Sequence, residues 1–202
     1  MKAIMLVHPG FLRREDMLAD DLKRLEDIRS NSAYGSYQNY LHSLQILSSQ
    51  IGEEYKRLLV VESVNSVIHP MHDSFEPRDG TFVFDWNAEC YGTIYPLQRG
   101  GDSWIRKEGI MKERFSRYVL DLGITDVLLA GELGPYEGSF NTRPIGCVGF
   151  FYQRLKNDLP VVGVKKCIYP QVAVNSLVSG QEAMSRDLYD QAISLEDVIR
   201  CE

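Results

Sequence analysis

Short apolar runs alternate along this chain with longer segments in which apolar residues recur every three or four positions. The runs are AIMLV from Ala3 to Val7, RLLVVES from Arg57 to Ser63, TDVLLAGE from Thr125 to Glu132, and LPVVGVKKCI from Leu159 to Ile168. Each has the length of a strand and no polar alternation, the pattern of strands covered on both faces in a parallel sheet. SWIRK, from Ser103 to Lys107, reads as a further strand.

Between these runs the helical period appears. Met17, Leu18, Leu22, Leu25 and Ile28 share one face, as do Tyr37, Tyr40, Leu41, Leu44, Leu47 and Ile51, with His42 off the stripe and solvent-facing. Ile110, Met111, Phe115, Tyr118, Val119 and Leu122 predict a helix that Gly123 stops. Thr142 with Pro144 just inside signals another helix start, and Ser194 with Asp197 resembles a capping box in a mostly helical C-terminal segment.

Residues 64–101 fit neither pattern. They are rich in Pro, Gly, Asp and aromatics, with a turn at Asp79-Gly80 and one short strand in TFVFDW. So long an irregular stretch inside a compact domain is usually functional. The whole predicts one α/β domain over residues 1–202, three-layer α/β/α with a mainly parallel sheet and Rossmann-like topology.

In such sheets ligands bind outside the carboxyl ends of the strands. That rule selects His8, Glu62 with Ser63, Arg106 with Lys107, Glu132 and Cys167 as candidates before any motif is considered. Glu62 and Glu132 are read as acid/base groups, as partners for an amine or hydroxyl-rich ligand, or as helix caps. Phe82, Phe84, Trp86, Tyr91 and Tyr95 either roof an apolar ligand, form a subunit contact, or build a satellite core under the loop.

Charge narrows the partners. A net charge of −6 with no basic run leaves no electrostatic basis for binding nucleic acid or an anionic membrane, so small molecules or proteins are expected. The apolar run at Ala3 is too short for a signal-peptide core, and the 4 cysteines, Cys90, Cys147, Cys167 and Cys201, are scattered without a CxxC. Reduced thiols and a cytoplasmic location are the expectation. GPYEGSFNTRP places glycines before a helix start, but without GxGxxG or GxxxxGK[ST] a nucleotide is weakly supported.

The order of elements and several local spellings resemble the nicotinamidase and isochorismatase-like cysteine hydrolases, over roughly residues 3 to 168. LVHPGF stands where that family has V-D-x-Q-x-D-F, with His8 in place of the Asp. VIHPMHDSF is similar to D-x-H-P-x-x-H-x-S-F, one residue shorter and with Val67 in place of Asp; WNAECYGT is similar to W-P-x-H-C-V-x-G-T, with Glu89 in place of His. The family's lysine, on a strand before a helix, falls on Lys107 of DSWIRKEG, and its nucleophile on Cys147 of GCVGFFYQRL. An insertion separates Gly131 from Cys147, where the family has about half a dozen residues.

The resemblance implies a hydrolase of an amide or related C–N bond, with Cys147 as nucleophile, His8 as replacement base and Lys107 as electrostatic support, in an oligomer of like chains. A thiol attacks only as thiolate, which a helix start and nearby basic groups favour. The alternatives for these residues are a small buried cysteine beside Gly146 and Gly149, a hydrogen-bonded turn at His8-Pro9-Gly10, and a salt bridge from Lys107 to Glu108 or Asp102. His69, His72 and Glu89 or Asp73 are candidate ligands for one Zn²⁺ or Fe²⁺, or else the polar wall of a pocket; no cofactor is required. The competing reading of the whole chain is a divergent, inactive member that binds a small molecule or a protein partner.

Overall fold

The computed structural model of the chain describes residues 1–9, 37–52, 54–64, 67–68, 79–85, 92–133, 147–170 and 191–200. Nine strands form one sheet: β1 (Lys2–Val7), β2 (Tyr55–Val64), β3 (Val67–Ile68), β4 (Thr81–Asp85), β5 (Thr93–Gly100), β6 (Ser103–Arg106), β7 (Ile110–Met111), β8 (Asp126–Leu133) and β9 (Val161–Pro170). The described helices are α1 (Tyr37–Ser49), α2 (Phe115–Asp121), α3 (Cys147–Leu155) and α4 (Leu195–Ile199).

The strand order is β6-β5-β4-β2-β1-β8-β9, with β3 on β2 and β7 on β5. The five strands β4, β2, β1, β8 and β9 are mutually parallel, and β5, β6 and β7 extend them with antiparallel pairings. Parallel strands at the centre are why AIMLV and LLVV carry no polar alternation. Ala3, Met5, Val7, Leu58 and Val60 pack with α2 and α3, while Ile4, Leu6, Leu59 and Val61 pack with α1 and α4. Each buried Leu, Ile or Val contributes about 1.5–3 kcal/mol, which makes this double-faced burial the main source of stability.

The helices settle where their stripes demand. Tyr40, Leu41, Leu44 and Leu47 of α1 are buried and His42 is exposed. An aromatic cluster fixes α3: Phe151 meets Phe115 at 5.5 Å and Phe84 at 5.9 Å, and Phe150 meets Phe84 at 4.9 Å. At α4 the expected cap forms, Asp197 N–H donating to Ser194 Oγ at 3.0 Å. Ser194→Ala is therefore expected to cost about 1 kcal/mol in urea unfolding.

Three expectations need correction. The stretch 64–101 contains strands β3, β4 and all of β5, and β4 is a core strand parallel to β2, with Phe82 and Phe84 almost fully buried rather than roofing a ligand. The helix expected from Ile110 begins only at Phe115, because Ile110 and Met111 pair with β5 and leave Met111 exposed. A 3-10 turn, Lys112–Arg114, makes the change of direction. The helix expected around Met17 and the signals at Thr142 and Pro144 lie outside the described residues. Among the described residues no helix is long and apolar enough to cross a membrane.

Candidate active site

Strand register shows which candidates reach one edge. Val7 pairs with Val60 of β2 on one side and Gly131 of β8 on the other, so His8, the next residue, stands at the carboxyl edge between those two strands. Glu132 follows Gly131 at that edge, opposite Tyr169 of β9, and Glu62 lies near the end of β2 opposite Phe84 of β4. His8, Glu62 and Glu132 thus belong to three adjacent strands, β2, β1 and β8, neighbours being about 4.8 Å apart.

His8 is held firmly. Its amide donates to Val60 O at 2.9 Å, its side chain is buried, and its backbone takes the left-handed conformation at φ 49°. That region costs an L-residue roughly 1–2 kcal/mol, and histidine is among the side chains that tolerate it best. The bend turns the chain out of the sheet immediately after β1.

Gly131 explains how β1 and β8 approach so closely here. Its φ is 127°, and a Cβ at this position would lie 2.0 Å from Val7 O. No side chain other than hydrogen fits, so the glycine fixes the backbone on which His8 stands.

Helix α3 begins at the same edge. Phe150, in its first turn, packs on Phe84 near the carboxyl end of β4; at its other end Leu155 O accepts from Leu159 N–H, and Pro160 O accepts from Val127 N–H at the start of β8. The helix therefore runs from the carboxyl edge to the amino edge. Cys147 is its first residue. Val148, next along, belongs to the buried cluster that includes Val7 and Leu129.

Lys107 does not join this edge. Its amide donates to Pro96 O, and Pro96 pairs with Phe82, which pairs with Val60. Lys107 is thus four strand spacings from β1, roughly 19 Å across the sheet. It lines a cleft together with Lys56 and Asp79. The expectation of a lysine beside His8 fails because β6 sits at the far end of an antiparallel extension that the sequence pattern did not distinguish from a core strand. Arg106 turns to the other face, its guanidinium over the Tyr95 ring at 5.4 Å.

Cys167 is also removed from the candidates. Strand β9 leaves its register with β8 between Leu129, opposite Gly163, and Gly131, opposite Ile168. The resulting bulge turns Cys167 into the core under α1, where Sγ–H donates to Ser43 O at 3.4 Å. Burial pushes its thiol from 9.0 up to about 12, with the Glu196 carboxylate adding to the rise and Lys166 opposing it. Native Cys167 is expected to resist iodoacetamide at neutral pH, and mass spectrometry of the labelled chain checks this. Because the folded state holds this proton more tightly, the stabilising contribution is complete below pH 9 and fades as pH rises toward about 12.

Asp85 was missed by the pattern. It ends β4 opposite Ser63, at the same carboxyl edge, and a confident parallel placement of TFVFD beside β2 would have selected it. Trp86, His69, His72, Asp73 and Glu89 lie outside the described residues. Among the described residues no group of three or more His, Cys, Asp and Glu gathers as a metal-ligand set.

The sequence matches no family model, and none of the curated proteins matches it. In structure the chain is similar to an isochorismatase-like hydrolase from Alkaliphilus metalliredigens, with 11% identity and a TM-score of 0.54, covering 100% of this chain and 99% of that one. The fold is therefore the mixed α/β architecture of isochorismatase-like hydrolases.

Proposed function

We propose that the protein is a small-molecule hydrolase that cleaves an amide or related C–N bond through Cys147, with His8 as the proton carrier. The observation that supports this reading is the position of His8 directly after β1, between β2 and β8, in a fold shared with an isochorismatase-like hydrolase.

In the proposed reaction His8 takes the Cys147 proton, and the thiolate adds to the substrate carbonyl carbon. Backbone N–H groups at the start of α3 stabilise the oxyanion, an interaction worth roughly 3–4 kcal/mol in other enzymes. Collapse of the tetrahedral intermediate breaks the C–N bond, and His8 returns its proton to the departing amine. Water, deprotonated by His8, then attacks the thioester; the carboxylate leaves and the thiol is restored.

An imidazole suits this exchange near neutral pH better than a carboxylate would. Glu62 and Glu132, on the strands flanking His8, are the proposed contacts to an amine or hydroxyl-bearing part of the substrate, and Trp86 the proposed apolar contact. The covalent route needs no resident metal. The chain acts in the cytoplasm as a homo-oligomer in this reading.

The test is a panel of small primary and N-substituted amides assayed for carboxylate and amine release. Turnover by the wild type, reduced on the order of 10²–10⁴-fold in His8→Asn, is the expected result. Asparagine keeps the left-handed backbone accessible, so the variant isolates proton transfer from folding. Equal turnover by the two proteins would contradict the assignment of His8.

A further inference from the structure

The sheet holds a cleft that the proposed hydrolysis does not use. It measures about 310 Å³, within the range of small-molecule sites, and lies between the second half of α2 and the starts of β2 and β4, with β5 and the residue after β6 closing one side. Its apolar floor is Phe82 and Pro96, with Tyr118 of α2 and Leu122, just after that helix, above. Strand alternation brings Lys56 onto this floor, because it shares the face of Leu58 and Val60; Gln98 likewise shares the face of Pro96.

Two lysines, Lys56 and Lys107, line this cleft. Among the described residues neither Lys56 nor Lys107 has an ion-pair partner, although the chain as a whole carries a net charge of −6. Asp79 is the one carboxylate among the described lining residues. Among the described lining residues, two lysines therefore stand against one carboxylate, over an apolar and aromatic surface.

We propose that this cleft is a second ligand site, which takes a small monocarboxylate carried on an apolar or aromatic body. Lys56 and Lys107 hold the carboxylate, Gln98 and the Tyr118 hydroxyl add neutral hydrogen bonds, and the floor takes the apolar part. A dianion such as a phosphate monoester suits the cleft less well, because Asp79 opposes the second negative charge. Lys107, Gln98 and Tyr118 belong to the β5, β6 and α2 side of the sheet, away from β1 and β8, so occupation of the site does not depend on the hydrolase reading.

The test is a titration of the ¹⁵N-labelled full chain with sodium benzoate, followed by amide chemical shifts at constant ionic strength, with phenyl phosphate and benzyl alcohol as comparison probes. Benzoate is expected to produce saturable shifts at Thr81, Gln98, Lys107 and Tyr118 with a dissociation constant on the order of 1 mM. Benzyl alcohol and phenyl phosphate should bind more weakly, and Lys56→Gln/Lys107→Gln should weaken benzoate at least about tenfold. Unchanged shifts at Met5 and Leu129 confirm that the double variant is folded. Absence of saturable shifts, equal binding of benzoate and benzyl alcohol, or undiminished binding by the folded double variant would each overturn the proposal.

Discussion

Gly131→Ala is expected to destabilise the protein by at least about 3 kcal/mol, read as a lowered midpoint in urea with the slope retained. Two independent effects add at this position. The backbone φ of 127° is one that L side chains rarely adopt, and a Cβ would lie 2.0 Å from Val7 O and 2.7 Å from Val7 N. Both obstructing atoms are main chain, so no rotamer change relieves the overlap. Strands β1 and β8 would have to separate at the last pair of their register, Val7 and Gly131. A valine there should cost more than alanine. By contrast, Gly123→Ala meets no atom within 4 Å and carries only the strain of its φ of 78°, so it should cost about 1 kcal/mol. The ratio of these two losses separates steric approach from backbone preference.

Cys147→Ala should lower the proposed hydrolysis on the order of 10⁴-fold or more, because removing the proposed nucleophile leaves only binding and oxyanion stabilisation. The same variant should retain the wild-type unfolding midpoint to within about 1 kcal/mol, since loss of one small sulfur-bearing side chain is a modest change in volume. Cys167→Ala is expected to show the reverse pattern: unchanged turnover, and a loss of about 1–2 kcal/mol from the buried thiol and its bond to Ser43 O. Measuring turnover and stability on both variants assigns chemistry to one cysteine and packing to the other.

The centre of the fold was legible because parallel strands announce themselves. AIMLV, LLVV and DVLLAG are continuous apolar runs, and all three lie side by side in the sheet. The stripe of α1 and the cap at Ser194 were legible for the same reason, each being a local rule that packing had no cause to override. The antiparallel extension was not. Ile110 and Met111 fall on the helical period of Phe115 and Val119, but pairing with β5 satisfies their backbone groups first, and no local signal records that competition.

The site divides along the same line. His8 comes directly after β1 and Glu132 lies near the end of β8, and these two strands are parallel neighbours. Lys107 followed a segment that also reads as a strand, yet β6 pairs only with β5 and ends level with Phe82. A local pattern identifies a strand but carries no information about its rank across the sheet. Cys167 failed for a different reason, a bulge in β9 that reverses which face its side chain takes.

The proposed hydrolysis requires that folding make the Cys147 thiol more reactive, with His8 taking its proton. The rate of iodoacetamide alkylation at Cys147 near neutral pH, compared between the native chain and the same chain unfolded in urea, tests it without knowledge of the substrate. The account predicts at least about tenfold faster labelling in the native state, lost in His8→Asn. Slower labelling of the folded chain would mean that the fold shields this thiol instead of activating it, and the proposed nucleophile would be gone.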